Sequence, residues 1–151
     1  MKKSLNLCCI SLLLVLISCQ KEEPALLERT VQTLQEKILD QAIENVKEEP
    51  ITVTAAFSVR SKGGVHDFFS EGDYWWPDPG NPTGPYIRRD GQSNPENFLA
   101  HRKALMRFSE IVVNLTSAFL ITGDTHYVRQ IKAHCNKWFV NDSSKMNPHL
   151  L

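Results

Sequence analysis

The chain has 151 residues, with seventeen acidic and seventeen basic side chains, so it has room for one modest domain and carries no net charge. Neutrality excludes the broad basic footprint by which proteins hold nucleic acid.

Lys2 and Lys3 precede an apolar run from Leu12 to Ile17, followed by small Ser18 and Cys19. A charged start, a short apolar core and a small residue at the cleavage point mark a secretory signal. The run is shorter than the roughly 20 residues a spanning helix needs. Leu16-Ile17-Ser18-Cys19 resembles a bacterial lipobox, which implies that Cys19 becomes the lipid-modified first residue of the mature chain and its membrane anchor. A plain signal peptide cut near Ser18 is the alternative. Residues 1–18 are thus read as a lipoprotein signal peptide, 19–24 as a polar tether, and 25–151 as the domain. The location that follows is the cell envelope, in the periplasm or on the outer membrane. With Cys8 and Cys9 leaving in the signal and Cys19 acylated, Cys135 stands alone, and a disulfide framework is excluded despite export. Cys135 reads as a small buried hydrophobe.

From Ala25 to Lys47, apolar residues recur at Leu27, Val31, Leu34, Ile38, Ala42 and Val46. Steps of three and four predict an amphipathic helix. Pro24 suits its entry and Pro50 its exit. Ile51 to Val59 is rich in β-branched residues and loosely alternating, which predicts an extended segment.

Gly63 to Asn97 has neither a helical nor a strand period, yet it gathers His66, Tyr74, Trp75, Trp76, Tyr86 and two arginines among Pro and Gly. A connection this long inside a compact domain is either functional or disordered, and disordered segments are poor in aromatics. Aromatic faces beside charged and amide groups suit sugar rings, whose apolar faces stack while polar side chains take the hydroxyls. The plainer reading is that the tryptophans pin a long connection to the core.

Ser93 or Asn94 is placed to cap a helix, with Pro95 at its first position and Glu96 near the positive end of its dipole. That helix is predicted to reach Leu120 or Ile121, with Leu105, Phe108, Val112, Leu115 and Phe119 as its apolar stripe. Gly123 then stops it and Asp124 caps the next helix, Thr125 to Val140, which buries Tyr127, Ile131, Cys135, Trp138 and Phe139. On this reading His126 and His134 lie off the apolar stripe. So short a connection demands an antiparallel hairpin. The sequence ends on an apolar pair just after the turn at Asn147-Pro148, as expected of a fragment; a small three-helix unit is the alternative.

The string Ser70-Glu71-Gly72-Asp73-Tyr74-Trp75-Trp76-Pro77, the run through Asp90-Gly91 and Asn94-Pro95, and the later segments LTSAFLITGD, HCNKWFV and MNPHLL resemble the alginate lyase family of bacterial polysaccharide lyases, over Val53 to Leu151. The resemblance implies an all-α fold, an incomplete (α/α) toroid of helical hairpins with the aromatic-rich loop. It also implies an acidic, alginate-like polysaccharide as partner and β-elimination on a uronic acid as the reaction. That chemistry needs the substrate carboxylate neutralised, a base at the proton α to it, and an acid at the leaving oxygen. Members of the family carry an Asn-Asn-His string, and none occurs here. The catalytic residues are therefore expected beyond Leu151, and Asn147 and His149 do not inherit their role. A non-catalytic glycan-binding surface lipoprotein is the alternative function.

The candidate substrate-binding residues are His66, Tyr74, Trp75, Trp76, Arg88, Arg89, His101, Arg102 and His149. His66 beside Asp67 either orients an imidazole or closes a turn. Arg88 and Arg89 either grip uronate carboxylates bidentately or pair with Asp90. His101 and Arg102 either face the cleft or pack in the helix. The five histidines show no metal-ligand spacing with Cys or acidic partners, and no phosphate or dinucleotide motif is present, so neither metal nor cofactor is expected.

Overall fold

A computed structural model of the chain describes residues 25–148. The stretches read from the sequence as signal peptide and tether, with Cys19, and His149 lie outside them. The chain divides into two compact units, Met1–Gln41 and Ala42–Leu151. The first unit, where described, is a single helix. This helix, α1, covers residues 25–45, so its last turn belongs to the second unit. Its exposed turns are laced by local bonds, such as Gln32 Nε2 to Glu36 Oε1 at 3.0 Å.

The second unit is built on a helical hairpin. Helix α2 spans Ala100–Thr122 and α3 spans Thr125–Phe139. Gly123 ends α2 in the left-handed conformation at φ 72°, and its N–H reaches the Phe119 carbonyl at 2.7 Å. Asp124 caps α3 by accepting from the His126 N–H at 2.8 Å. The core between the helices is Ile111, Leu115 and Ala118 against Trp138, each at most 2% exposed. Phe108 adds a ring contact to Trp138 at 5.3 Å and an edge contact to Phe139 at 5.5 Å.

The last turn of α1 and the residues after it are fastened to this hairpin by polar groups. Arg107 reaches Asn45 Oδ1 at 2.7 Å, Glu110 at 3.1 Å, and Glu48 with both Nε and Nη2. The Arg107 bond holds the Glu48 carboxyl below its ordinary range against the opposing push of burial. The Glu48 carbonyl in turn accepts from Gln130 at 3.1 Å and His134 at 3.2 Å. Burial pushes the His134 imidazole below its ordinary value, so it sits in the core neutral.

Three expectations change. Ile51–Val59 is not extended throughout: Val53–Ala55 form one 3-10 turn, capped by Thr52 Oγ1 accepting from Thr54 N at 3.4 Å. Helix α2 starts at Ala100 rather than Pro95, and no side chain caps it. Asn94 instead takes the Glu96 N–H at 3.0 Å while its own amide reaches the Trp75 carbonyl at 3.3 Å, so it anchors the loop in a turn. In α3, Phe139 is half exposed and His134 is buried. The step from His134 to Trp138 stays on the core face, and the Glu48 carbonyl makes a histidine tolerable there.

The long connection contains one regular piece. Strands β1 (Trp75–Trp76) and β2 (Ile87–Arg88) pair antiparallel, with Trp75 opposite Arg88 and Trp76 opposite Ile87. Among the described residues all other regular structure is helical.

Candidate functional site

The aromatic loop is organised around one carboxylate. Glu71 has a side chain 3% exposed and accepts four bonds. Arg60 grips it as a fork, Nε to Oε1 at 2.6 Å and Nη2 to Oε2 at 2.5 Å. The Tyr86 hydroxyl donates to Oε1, and the Phe98 N–H donates to Oε2 at 2.7 Å. Arg60 also reaches the Glu96 carbonyl at 3.0 Å. Residues 60, 71, 86 and 98 thus meet at one point, closing both ends of the connection. Burial alone pushes the Glu71 carboxyl up, but Arg60, the Phe98 N–H and Tyr86 together outweigh it and hold it below its ordinary value.

Two asparagines secure the other side. Asn97 Nδ2 donates to the Gly72 carbonyl at 2.6 Å, and its Oδ1 accepts from Asn94 Nδ2 at 2.8 Å. Both are buried, and both have their amides engaged. Gly72 has a second purpose: a Cβ there would stand 2.6 Å from Trp75 Cδ1, so glycine lets the indole lie against the backbone.

The result is an open cavity of about 330 Å³ walled by Phe69, Ser70, Glu71, Gly72, Trp75 and Tyr86. Two aromatic side walls beside a charge-matched floor fit a ring with apolar faces and polar edges. A second cleft, of about 290 Å³, lies between α2, α3 and Glu48, where Arg107 is already paired. It gathers none of the aromatic-loop residues.

The nine predicted residues separate into groups. Trp75 lines the cavity and is 44% exposed. Tyr74 is similarly exposed, outside the cavity wall. Trp76 turns to the fold: its Nε1 donates to the Gln92 carbonyl at 3.2 Å, and the Arg89 guanidinium stacks 4.6 Å from its ring. Among the described residues the Arg88 guanidinium makes only a 3.4 Å approach to Asp90. Arg102 pairs with Asp73 at 2.5 Å. His101 is buried, with both ring nitrogens engaged by backbone, Nδ1 with the Phe69 N–H at 3.0 Å and Nε2 with the Ala56 carbonyl at 2.8 Å. That pairing fixes the Nε2–H tautomer and gives the imidazole a structural job. His66 Nδ1 meets the Lys145 carbonyl at 2.7 Å, while Asn147 Nδ2 donates to Asp67 Oδ1 at 2.6 Å. The pair closes a turn against the end of the hairpin. His149 falls outside the described residues. Among those residues no group of three or more His, Cys, Asp or Glu is clustered as for a metal ion.

Sequence reasoning passed over Glu71, Arg60, Phe69 and Asn97, and gave Tyr86 no role. The signal available was the acid within an aromatic run, Ser70-Glu71-Gly72-Asp73-Tyr74, since an acid there needs a partner to be buried.

Helical hairpin and polar-pinned aromatic loop together define a helical fold that carries one open aromatic cavity. The family model for alginate lyase matches residues 52–151. The chain belongs to the alginate lyase family. The crystal structure of an alginate lyase from Bacteroides ovatus superposes with a TM-score of 0.65 at 39% identity, covering 77% of this chain. This chain spans 31% of that protein's length. The incomplete (α/α) toroid agrees with that likeness. No curated protein matches the chain.

Proposed function

We propose that this chain supplies the substrate-gripping part of a polysaccharide lyase that cleaves alginate or a related uronic-acid polymer. The observation that carries the reading is the Trp75–Tyr86 cavity, built at full polar cost around buried Glu71 in a chain of the alginate lyase family. A loop kept for connection alone has no need of an open aromatic cavity. In the reaction a base takes the proton α to the uronate carboxylate. The electron pair forms the ring double bond, and the C–O bond to the 4-linked oxygen breaks. That oxygen leaves with a proton from an acid. Of the described residues, His101 has both ring nitrogens engaged with backbone and is assigned no proton-transfer step, while His66 is held through Nδ1 at the Lys145 carbonyl. On this proposal the 151-residue chain, whose sequence carries no Asn-Asn-His string, binds without turnover.

Exposed Met106, Val113 and Leu120 recur every seventh residue on α2, a stripe suited to further hairpins of a toroid. Cys19 and the leader point to a lipid-anchored protein of the cell envelope. This rests on the lipobox resemblance and is tested by the mass of the mature N-terminal peptide.

The test of function is to offer the purified chain alginate oligomers, following binding by calorimetry and cleavage by the ultraviolet absorbance of the unsaturated chain end. Binding without absorbance change is expected. Absorbance growth would refute inactivity, and absence of binding would remove the glycan reading. The alternative, a surface lipoprotein that binds glycan without catalysis, is favoured if the native full-length product also binds without cleaving.

A further inference from the structure

We propose that Arg88, outside the wall of the aromatic cavity but opposite Trp75 on the ladder, is its specificity-determining residue, reading the carboxylate of the uronate unit whose ring lies on Trp75. The inference rests on the glycan-binding reading above and separates two arginines that the sequence presents as equals.

Four arginines serve the loop, and three have their heads engaged. Arg60 forks Glu71, Arg102 holds Asp73 at 2.5 Å, and Arg89 lies over the Trp76 ring at 4.6 Å. Among the described residues the Arg88 head has only Asp90, at 3.4 Å, with side chains 61% and 79% exposed. A pair so long and so wet holds little, and a better-placed anion displaces it. The ladder register then decides position. Arg88 stands directly opposite Trp75, and directly opposed residues of an antiparallel pair project from the same face, with Cβ atoms about 5 Å apart. Arg89, one residue on, projects from the other face with Trp76. One face of the ribbon therefore offers an indole that lines the cavity and a guanidinium free to fork a carboxylate. The other face is closed on itself.

The floor permits an anion there. Glu71 is the acid in the cavity wall, and its charge is matched by Arg60. A sugar ring against Trp75 with a carboxylate toward Arg88 is a uronate, whereas a neutral sugar leaves Arg88 with Asp90. Asp90 is thus a weak competitor for the same guanidinium.

The experiment compares short uronate oligomers with their carboxyl-reduced, neutral counterparts by calorimetry on the full chain. Circular dichroism confirms the fold of each variant. Arg88→Gln is expected to weaken uronate binding about tenfold, as for loss of a charged hydrogen-bonded partner, and to leave neutral binding unchanged. Arg88→Lys retains part of the preference, because an ammonium attracts but does not fork. Asp90→Asn tightens uronate binding two- to threefold, the order expected when a weak exposed competitor is removed. Equal loss on both ligands with Arg88→Gln, or a uronate-selective loss with Arg89→Gln in its place, overturns the proposal. If the parent chain binds the neutral oligomer as tightly as the uronate, the proposal fails while the glycan reading survives. If it binds neither, both fail.

Discussion

The helical hairpin and the aromatic loop are stabilised by opposite means. Between α2 and α3 the work is done by apolar surface, with Leu115, Ile111 and Trp138 buried almost completely. The loop buries its backbone on polar side chains instead: Glu71, Asn94 and Asn97 are all nearly inaccessible, and each is bonded to backbone elsewhere in the loop. Apolar packing is non-directional and gives way by degrees, whereas a buried polar hub is satisfied as a set or fails as a set. That difference suits function. The hairpin can tolerate repacking, while the loop holds Trp75 and Tyr86 in one arrangement, as the proposed glycan site requires.

The largest expected effect lies in the hairpin. Trp138→Ala removes its largest buried side chain and should cost about 3–5 kcal/mol, read by urea denaturation of the whole chain. Trp138→Phe should cost far less. The indole N–H has no hydrogen-bond partner among the described residues, so its removal forfeits only ring area. A Phe variant as damaged as the Ala variant would show that the N–H is bonded in solution.

Glu71→Gln is the matching lesion in the loop. It leaves Arg60 facing an amide and should cost roughly 2–3 kcal/mol, below the full value for a buried pair because Arg60 is partly exposed. The loss should be local: faster hydrogen exchange at the Phe98 amide and weakened near-ultraviolet dichroism of Trp75 and Trp76, with a smaller change at the Ile111 and Leu115 amides. Equal effects in both regions would mean that loop and hairpin unfold as one unit.

Acid separates the two regions by the pH at which each weakens. Burial lowers the His134 pKa in the hairpin, so the unfolded chain binds a proton more readily than the folded one below the ordinary value of 6.5. Stability from this group is complete above 6.5 and falls as the pH drops toward the folded value. For Glu71, burial raises the pKa but the Arg60, Phe98 and Tyr86 bonds lower it further, to below the ordinary 4.5. Its contribution is complete above 4.5 and falls as the pH drops below it. The hairpin should therefore weaken first, beginning near pH 6.5, and the loop only below 4.5. His134→Gln should abolish the first phase and leave the second.

The same contrast explains what could be read from the sequence. The hairpin was legible because its signals are local: Gly123 and Asp124 stop and start helices within one turn, and the α2 stripe repeats every three to four residues. His134 misled because the group that makes its burial tolerable, the Glu48 carbonyl, is remote in sequence. The loop's irregularity and its aromatics were legible in the sequence, but its wiring was not. The partners of Glu71 lie eleven, fifteen and twenty-seven residues away, and no local pattern encodes such pairings. Asn94 looked like a helix cap for the same reason: a cap and a loop anchor carry the same amide, and only the fold decides between them.

One small substitution, made in both regions, gives the finest test. At Gly123 a Cβ would meet nothing within 4 Å, so Gly123→Ala costs only the left-handed backbone at φ 72°, about 1 kcal/mol. The melting temperature should fall by a few degrees, with glycan binding unchanged. At Gly72 the left-handed conformation is not required, but the Cβ would stand 2.6 Å from Trp75 Cδ1. Gly72→Ala must therefore displace the indole that lines the cavity. Melting should hardly move, while binding of uronate and neutral oligomers weakens together, because the stacking face is lost and Arg88 is not. A Gly72→Ala chain that binds normally would show that the ring against Gly72 is not the one the glycan meets.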